Sequence, residues 1–462
     1  MAPAAHEDVY QTVNPTSEKV VKTFPLSSDS EVLGALTTAE KCYKDTWRHR
    51  SIAERAQIVS RAAKLLKDDL EKHAQLMTLE MGKLIDQARW EVQVSSEILS
   101  YYAENAEAFL KPYEVPKEKA TVYTEPIGVI LAIEPWNFPY YQLARVAGPQ
   151  LMAGNVLLVK PAPSTPQCAL AFAGLFEEAG APKGVYTNIL CSIPQINTLI
   201  DDFRVRGVTL TGSERAGTSV AERAGRNLKK AVLELGGSDP VVILEDADLE
   251  KTIGACIMGR LLCMGQACAA SKRFIVIGKD RADAFVKGVT TALSGLAPGV
   301  PTDSATAIGP LGSQRGLDLI LKQVATSVEH GAKVVAGGKR FSRPGFYMEP
   351  TVIVDISPSN PLFSEETFGP VFSVYTAESE AEAVEIANAT KFGLGASVYS
   401  ADMNRAQRVG KLLDCGMVFV NAPAWTSAEI PWGGVKNSGF GRELGGELGI
   451  AEFVNKKMIR TV

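Results

Sequence analysis

Val208-Thr-Leu-Thr-Gly-Ser-Glu-Arg-Ala-Gly217 is the stretch that decides the fold, because a β-rich run passes through a short turn directly into a helical pattern. We predict a strand over Val208–Thr211 and a helix over Ala216–Gly225. Backbone N–H groups at a helix N-terminus favour a phosphate, and glycines let a ligand approach the backbone closely. The stretch lacks the usual G-x-G-x-x-G spacing, so by itself it does not identify a dinucleotide site.

Short β-rich runs alternate with helical segments on both sides of this stretch, which is typical of a parallel sheet with crossover helices. The sequence therefore predicts an α/β protein. Long helices are predicted between Ala39 and Ala108, where Ser51–Leu66 repeats apolar residues at helical spacing. The further elements of the first block are strands Val129–Ile133, Val156–Val159 and Gly184–Leu190 and helix Gln167–Ala179; those of a second block, beginning near Pro240, are strands Val241–Leu244, Arg273–Ile277, Ala332–Ala336 and Val371–Tyr375.

The composition limits the class of protein. A chain of 462 residues is too long for one ordinary core, so two or three domains are expected. The formal net charge of −4 argues against a nucleic-acid or anionic-membrane surface. Seven cysteines without a Cys-x-x-Cys pair favour a reducing compartment over disulfides or structural metal. No apolar run is long enough to span a membrane, and Met1–Tyr10 has no targeting pattern, so we expect a cytoplasmic protein.

Cys268 lies in Met264-Gly-Gln-Ala-Cys-Ala-Ala-Ser-Lys-Arg273, with Glu234-Leu-Gly-Gly-Ser238 upstream. A thiolate attacks carbonyl carbon once it is ionised, and a nearby carboxylate can take a proton from the thiol or from water. None of the four histidines is near Cys268 in sequence, so Glu234 is the better candidate base. An isolated cysteine is more often an inert buried thiol. In this chain, further polar motifs favour a catalytic role for Cys268 over an inert buried thiol.

Two of these motifs follow predicted strands, where open α/β sheets place their ligands. Asn137, in Glu134-Pro-Trp-Asn-Phe-Pro139, offers an amide donor for an oxyanion, although it could also organise a proline-rich turn. Lys160, in Val159-Lys-Pro-Ala-Pro-Ser-Thr165, could bind ribose or phosphate, although a lone lysine in a loop is usually only solvated. Glu365-Glu-Thr-Phe-Gly-Pro370 adds a carboxylate and an aromatic ring.

Taken together, these motifs resemble the aldehyde dehydrogenase superfamily, in its order and spacing, from Val13-Asn-Pro-Thr16 to Gly434-Val-Lys-Asn-Ser-Gly-Phe-Gly-Arg-Glu-Leu444. The resemblance implies a Rossmann-type cofactor domain over residues 1–108 and 125–236 and an α/β catalytic domain over 237–440. It also implies a small β-flap over 109–124 and 445–462 that pairs subunits into homodimers or homotetramers. An exposed strand edge gives a physical reason for that pairing.

The resemblance also implies a covalent mechanism. Cys268 attacks the aldehyde, Asn137 and the Cys268 backbone N–H hold the oxyanion, and Glu234 deprotonates the water that hydrolyses the thioester. No metal is involved. The positions that match cofactor contacts are Trp136, Lys160, Pro163, Ser164, Thr211, Gly212, Ser213, Gly217, Leu235, Gly236, Glu366 and Phe368, with Glu366 expected on the nicotinamide ribose.

Cofactor choice depends on the position three residues after Lys160. NAD-preferring relatives usually have a glutamate there, which binds the ribose 2′-OH and repels a 2′-phosphate. This chain has Pro163, followed by Ser164, so the repulsion is absent and we expect NADP to be accepted, with NAD as an alternative.

The short succinate-semialdehyde dehydrogenases are the most similar members. Arg145 and Ser427 match the residues that bind the distal carboxylate in those enzymes, and Arg pairs with carboxylate bidentately. Arg145 could instead form a structural salt bridge. Leu262 and Cys263 depart from the pattern of those enzymes. An apolar rim could suit an aromatic or medium-chain aldehyde instead; its residues are Tyr140, Tyr141, Trp425 and Trp432.

Three other readings remain open from the sequence. Cys263 could form a disulfide with Cys268 that protects the nucleophile from oxidation, although a buried thiol is the simpler reading. The chain could be a thiol acyl hydrolase that uses no nicotinamide. It could also be a non-catalytic scaffold, although a scaffold has no need for Cys268, Glu234 and Asn137 together.

Overall fold

The computed structural model describes residues 9–461, so residues 1–8 of the expected cofactor domain and residue 462 of the expected flap lie outside the described part. The strands, in chain order, are β1 (Tyr10–Asn14), β2 (Lys19–Phe24), β3 (Tyr113–Val115), β4 (Ala120–Pro126), β5 (Val129–Ile133), β6 (Val156–Lys160), β7 (Tyr186–Asn188), β8 (Val205–Thr211), β9 (Lys230–Glu234), β10 (Pro240–Ile243), β11 (Arg273–Ile277), β12 (Lys333–Ala336), β13 (Thr351–Val354), β14 (Val371–Ala377), β15 (Phe392–Gly393), β16 (Gly395–Tyr399), β17 (Met417–Val420), β18 (Val435–Lys436), β19 (Gly439–Phe440) and β20 (Val454–Arg460).

The α-helices are α1 (Asp29–Asp45), α2 (Ile52–Asp68), α3 (Leu70–Met81), α4 (Ile85–Phe109), α5 (Pro139–Ala153), α6 (Pro166–Glu178), α7 (Ile193–Asp201), α8 (Glu214–Arg226), α9 (Leu249–Leu261), α10 (Lys279–Ser294), α11 (Gln314–Glu329), α12 (Pro361–Ser364), α13 (Glu380–Asn388), α14 (Met403–Gly410) and α15 (Glu447–Ile450). Within residues 9–461, none of these helices is both long and apolar enough to cross a membrane.

The first large sheet has the strand order β19-β9-β8-β5-β6-β7. All of its pairings are parallel except the short antiparallel pair of β19 with β9. Strands β5 and β6 are buried almost throughout, as expected for a parallel sheet covered by helices on both faces. The carboxyl ends of β5, β8 and β9 therefore lie side by side at one edge, which is where open α/β sheets bind ligands.

The second large sheet has the order β12-β13-β14-β11-β10-β16-β17 and is parallel except for β12. Its buried residues form a hydrophobic core separate from that of the first sheet. Strands β3, β4 and β20 form a third, antiparallel sheet in which β4 pairs with β20 along its whole length. The α/β class predicted from the sequence is confirmed.

Several predicted segments differ in extent from the observed ones. The strand expected over Gly184–Leu190 is regular only over Tyr186–Asn188; its late start follows from Gly184, whose left-handed φ of 100° interrupts the extended backbone. The strand expected from Val208 already begins at Val205, where exposed Arg206 interrupts the apolar run. Gly439–Phe440, assigned by its sequence position to the catalytic domain, pairs instead with β9 of the first sheet.

A buried ion pair fixes the entry to helix α5, on which several candidate site residues lie. Lys83 and Glu91 form this pair, and neither side chain is accessible to solvent. Glu91 Oε1 also accepts the backbone N–H groups of Tyr140 at 2.9 Å and Tyr141 at 3.2 Å, which would otherwise lack partners at the start of the helix. Lys83 Nζ donates to the backbone carbonyl of Asn137 at 2.8 Å. The pair therefore sets the position of the Asn137 loop.

We predict that Glu91→Ala lowers the free energy of unfolding by about 3–5 kcal/mol, because it leaves the Lys83 ammonium buried without its counter-charge. Urea or thermal denaturation measures the loss. The matched control is Lys41→Ala, which removes one member of a surface pair with Asp45 and should leave the midpoint nearly unchanged. Equal midpoints for the two variants would contradict the role of the buried pair.

Candidate active site

The nucleophile loop joins helix α9 to strand β11 and has a constrained backbone. Cys263 and Met264 adopt left-handed φ values of 51° and 54°, and a side chain at Gly265 would collide with the carbonyl of Gly369. Lys272 Nζ donates to the carbonyls of Ala267 at 2.9 Å and Cys268 at 2.5 Å. These contacts hold Cys268 in one place at the end of the loop.

Asn137 lies directly against this loop. Its Nδ2 donates to the carbonyl of Gln266 at 2.8 Å, two residues before Cys268. An amide nitrogen carries two hydrogens, so one N–H remains for a second acceptor. The structure thus brings Asn137 and the Cys268 loop together. Cys263 Sγ lies 3.5 Å from the carbonyl of Asn137, and burial raises the pKa of its thiol to about 11.

Glu234 ends strand β9 and is buried, with 1% of its surface exposed. Neither carboxylate oxygen has a hydrogen-bond partner among residues 9–461. Burial raises the pKa of Glu234 to about 8; the positive charge of Arg145 lowers it and the negative charge of Glu443 raises it further. A carboxyl with a pKa near neutrality can both accept and release a proton under ordinary conditions.

The Cys268 thiol is protonated at neutral pH. Burial raises its pKa to about 12, against the opposing effects of Lys272 and Arg145, and the Glu234 carboxylate raises it further. Because the thiolate is the nucleophilic form, the thiol requires a base. The carboxylates that raise the pKa of this thiol are Glu234 and, less strongly, Glu366, so Glu234 remains the candidate base.

Cys268 lines a cavity of about 580 Å³. The candidate substrate residues Arg145, Tyr141 and Trp425 line the same cavity. Ser427 is not among the lining residues; its neighbour Thr426 is, and Thr426 Oγ1 lies 2.7 Å from the Tyr141 hydroxyl. The sequence could not show which of two adjacent hydroxyls faces the cavity, because the irregular backbone of this loop decides their directions.

Arg145 is buried and forms an ion pair with Glu443, so the salt bridge considered from the sequence is present. Its Nη2 also donates to Gln142 Oε1 at 2.6 Å and to Thr211 Oγ1 at 3.0 Å. Nη1 has no hydrogen-bond partner among the described residues. Burial is the largest single effect and lowers the pKa of Arg145, but Glu443 together with Tyr141, Glu234 and Cys268 outweighs it, so the pKa of Arg145 is raised. The Arg145 guanidinium therefore stays positively charged, and its Nη1 can still donate a hydrogen bond to a ligand.

Sequence reasoning missed Glu443, which lies in the Gly441-Arg-Glu-Leu444 stretch. Its Oε1 accepts from Thr209 at 3.1 Å, and Thr209 is two residues before Thr211 on strand β8. Side chains two residues apart on a strand point to the same face. Glu443 therefore reaches the same face of the sheet as Thr211, from a position more than 200 residues further along the chain, and nothing local in the sequence signals this contact.

The candidate cofactor residues lie at the carboxyl edge of the first sheet. Lys160 ends β6 and Thr211 ends β8. Gly212 donates its N–H to the carbonyl of Glu234 at 2.9 Å, and the Ser213 hydroxyl caps the N-terminus of α8. A Cβ at Gly217 would lie 2.6 Å from the side chain of Leu235, so glycine is needed for α8 to pack on this edge.

Glu366 joins the cofactor side of the site to the nucleophile loop. Its Oε1 accepts the N–H of Gly237 at 3.1 Å and lies 3.2 Å from Lys272 Nζ. A Cβ at Gly236 would be 2.5 Å from the same carboxylate, so a side chain there would displace it. Phe368 packs edge-to-face on Trp136, with ring centroids 6.0 Å apart.

Arg260 is a further residue that the sequence did not single out. It is fully buried at the end of α9, and its Nη2 donates to both the carbonyl and the hydroxyl of Thr367 at 2.9 Å, and to the carbonyl of Gly369. It thereby holds the backbone between Glu366 and Gly369 in place. The sequence gives no local sign of this role, because Arg260 and its acceptors are more than 100 residues apart in the chain.

Pro163 and Ser164 lie in the turn after Lys160 and are partly exposed. The carbonyl of Pro163 accepts the N–H of Gln11 at 3.0 Å, which ties the turn to strand β1. Lys160 Nζ donates to the carbonyl of Pro161 at 3.0 Å and lies over the Tyr10 ring. Residues 160–165 contain no acidic side chain.

Comparison with known proteins agrees with this geometry. A family model described as the aldehyde dehydrogenase family matches residues 2–459. The chain is 47% identical over 461 residues to the NADP(+) succinate-semialdehyde dehydrogenase of Deinococcus radiodurans, over 99% of this chain and 96% of that protein.

Among solved structures, Gox0499, whose cofactor and substrate selection was studied, matches with a TM-score of 0.96 and 50% identity, over 98% of this chain and 100% of that one. Succinic semialdehyde dehydrogenase from Streptococcus pyogenes in complex with NADP+ matches with a TM-score of 0.95 and 41% identity, over 98% and 99% of the two chains. The likeness over nearly the whole length shows that this chain belongs to the aldehyde dehydrogenase family, whose enzymes oxidise small aldehydes.

Proposed function

We propose that the protein oxidises succinic semialdehyde to succinate with NADP+ as the oxidant. The observation that carries the proposal is that Cys268 and Arg145 line one cavity, while Arg145 keeps a buried nitrogen without a hydrogen-bond partner among the described residues. A guanidinium N–H recognises a carboxylate through a charge-assisted hydrogen bond. The names of the Deinococcus and Streptococcus relatives support the same substrate and cofactor.

In the proposed mechanism, Glu234 takes the proton of the Cys268 thiol and the thiolate attacks the aldehyde carbon. The oxyanion accepts the free N–H of Asn137 Nδ2 and the backbone N–H of Cys268. Oxyanion donors of this kind are typically worth about 3–4 kcal/mol each in the transition state. Arg145 holds the distal carboxylate of the substrate. After loss of hydride from the substrate carbon has given the Cys268 thioester, Glu234, which has released the thiol proton to solvent, takes a proton from the attacking water. The C–S bond then breaks, succinate leaves and the Cys268 thiolate is reprotonated.

The residues at the sheet edge fit a dinucleotide. The N-terminus of α8, capped by Ser213, offers backbone N–H groups to a pyrophosphate, and Gly217 and Gly236 leave room that a Cβ would fill. Lys160 and Glu366 would bind the two riboses, with Trp136, Thr211, Gly212, Leu235 and Phe368 lining the site. When bound, the dinucleotide accepts a hydride from the substrate.

The turn after Lys160 supports NADP over NAD. Pro163 and Ser164 stand where a carboxylate would repel a 2′-phosphate, and no acidic residue occurs between positions 160 and 165. Without that repulsion, the charged group of this turn nearest to a 2′-phosphate would be the Lys160 ammonium. NAD remains usable, because nothing in this turn excludes a 2′-hydroxyl.

The three sheets support the proposed division into a cofactor domain, a catalytic domain and an oligomerisation flap. Leu444, Ile450 and Phe453 are buried in the same hydrophobic core as the first sheet, which supports a flap narrower than residues 445–462. Strand β20 is an edge strand of its sheet within the described residues. We propose that this edge pairs with a second copy in a homodimer or homotetramer, and that the enzyme works in the cytoplasm.

The pH dependence of turnover tests Glu234. The carboxylate form is the base, so kcat should be small below the pKa of about 8 and rise as the pH increases through it. Glu234→Gln should lower kcat by about 10²-fold or more and abolish this limb. Steady-state NADPH formation at saturating substrates, across neutral and alkaline pH, measures both. A Gln variant that keeps the limb would contradict the assignment.

A pair of variants tests the role of Arg145 without leaving the Glu443 carboxylate buried and unpaired. Relative to Glu443→Gln, the double variant Arg145→Met/Glu443→Gln should lose about 10- to 100-fold in kcat/KM for succinic semialdehyde, the worth of a hydrogen bond to a charged group. Butanal has the same carbon count without the carboxylate and should change little. An equal loss for both aldehydes would show that Arg145 supports only the fold.

A restored carboxylate tests cofactor choice. Pro163→Glu should lower kcat/KM for NADP by at least about 10-fold through like-charge repulsion, while activity with NAD is retained or improved. Pro163→Ala is the control for loss of the proline ring alone. If Pro163→Glu uses NADP as well as the wild type does, the turn after Lys160 does not contact the 2′-phosphate.

A further inference from the structure

Gln142 is a buried amide to which the proposed mechanism gives no role. It lies on the first turn of helix α5, is 2% exposed and lines the cavity that contains Cys268. Burial of an amide is costly unless its oxygen and its N–H groups find partners. The two ends of this amide face two groups of the active site, Arg145 on one side and Asn137 on the other.

Arg145 fixes the direction of the Gln142 amide. Arg145 Nη2 donates to Gln142 Oε1 at 2.6 Å, and a guanidinium has no acceptor, so the oxygen of Gln142 must face it. Residues three apart on a helix lie on one face, which lets the two side chains meet. The nitrogen of Gln142 is therefore turned the other way, where Nε2 lies 3.5 Å from Asn137 Oδ1 in a long hydrogen bond.

The amide of Asn137 is consequently held at both of its ends. Its oxygen faces the Gln142 nitrogen, and its Nδ2 donates at 2.8 Å to the carbonyl of Gln266, which can only accept. Turning the Asn137 amide over would set N–H groups against each other at Gln142 and two oxygens against each other at Gln266. The two contacts together keep Nδ2, with its second N–H, on the Cys268 side of the amide.

The chain of amides also transmits the charge of Arg145. Hydrogen bonds in series polarise one another in a site of low polarity, so a guanidinium that donates to Gln142 strengthens the next N–H in the chain as a donor. Arg145, Gln142 and Asn137 are each at most 4% exposed, so solvent does little to screen this effect. The contact from Gln142 to Asn137 is long, and we expect its contribution to be smaller than that of the oxyanion donor itself.

We propose that Gln142 is a positioning residue of the oxyanion site, which acts on the reaction through the Asn137 amide. It holds Asn137 Oδ1, so that Nδ2 stays towards Cys268, and it does not touch the reacting atoms. The inference rests on the proposed oxyanion role of Asn137 but not on the carboxylate role of Arg145. No bond forms or breaks at Gln142 and it exchanges no proton with the substrate.

The test is a double-variant cycle of Gln142→Met and Asn137→Ala, measured as kcat/KM for butanal and for succinic semialdehyde at saturating NADP+. Gln142→Met should lose about 3- to 10-fold in the wild-type background with both aldehydes, the size expected for a neutral hydrogen bond. In the Asn137→Ala background the same change should cost less than about 2-fold, because the side chain through which Gln142 acts is absent. The KM for NADP+ should be the same in all four proteins.

Gln150→Met is the matched control on the same helix. Gln150 is 3% exposed, and its amide donates to the carbonyl of Gly449 at 3.0 Å and accepts from Asn155 Nδ2 at 3.0 Å, without lining the cavity. This change should lower the midpoint of thermal unfolding, as Gln142→Met does, because both remove a buried amide with its hydrogen bonds. It should leave kcat/KM for both aldehydes unchanged.

A second variant, Gln142→Glu, separates the two contacts of the Gln142 side chain. An ionised carboxylate keeps an acceptor for Arg145 but has no N–H for Asn137. Gln142→Glu should therefore fold with the Arg145 contact intact and lose at least as much in kcat/KM as Gln142→Met. Activity equal to that of the wild type in this variant would contradict the inference.

The outcomes separate this inference from the proposed function. An unchanged kcat/KM in Gln142→Met, the same loss in both backgrounds, or an equal loss in Gln150→Met overturns the inference and leaves the proposed function intact. A loss that disappears in the Asn137→Ala background supports it. Turnover of Asn137→Ala at the wild-type rate, or absence of NADPH formation by the wild type with both aldehydes, overturns the proposed mechanism itself.

Discussion

One buried ammonium group connects the two halves of the site. Lys272 is 1% exposed and donates to the carbonyls of Ala267 and Cys268, while its charge is balanced by Glu366 at 3.2 Å. Glu366 in turn accepts the N–H of Gly237, close to the end of the first sheet. The Lys272 ammonium thus joins the Cys268 loop to Glu366, and Glu366 joins it to Gly237, three residues after the end of β9. A buried charge tolerates little displacement of its partners, so Lys272 restricts movement of the Cys268 loop relative to Glu366.

Burial in this low-polarity site also determines the protonation states of Cys268 and Glu234. Burial raises the pKa of the Cys268 thiol to about 12 and that of Glu234 to about 8, so both groups are neutral at rest near pH 7. A thiol that is protonated at rest is protected from oxidation, since thiolate character governs that reaction. Arg145 supplies the nearby positive charge that limits the shift of Glu234, and Glu443 compensates it. The pKa of Glu234 therefore depends on the Arg145–Glu443 ion pair, although the Glu234 carboxylate forms no hydrogen bond with it among the described residues.

Strands dominated by local apolar runs could be predicted closely from the sequence, as the identical predicted and observed limits of Val129–Ile133 and Arg273–Ile277 show. The resemblance to the family also implied that Cys268 and Asn137 share one site, and Asn137 does lie against the Cys268 loop. The contacts of Glu443, Arg260 and Thr426 could not be predicted, because they depend on loop direction and on pairings across 100 to 300 residues. The pairing of Gly439–Phe440 with β9 could not be predicted either, because two residues carry too little pattern to show which sheet they join.

The central claim is that Cys268 carries the acyl group and Glu234 releases it. The most direct measurement is intact-protein mass spectrometry of Glu234→Gln after rapid mixing with NADP+ and succinic semialdehyde. We expect NADPH to form more slowly than in the wild type, because the thiol has lost its base, and to stop at one equivalent of enzyme while a succinyl adduct that maps to Cys268 accumulates, because hydrolysis of the thioester has lost its base as well. NADPH formation without any covalent adduct in this variant, or an adduct on another residue, would contradict it.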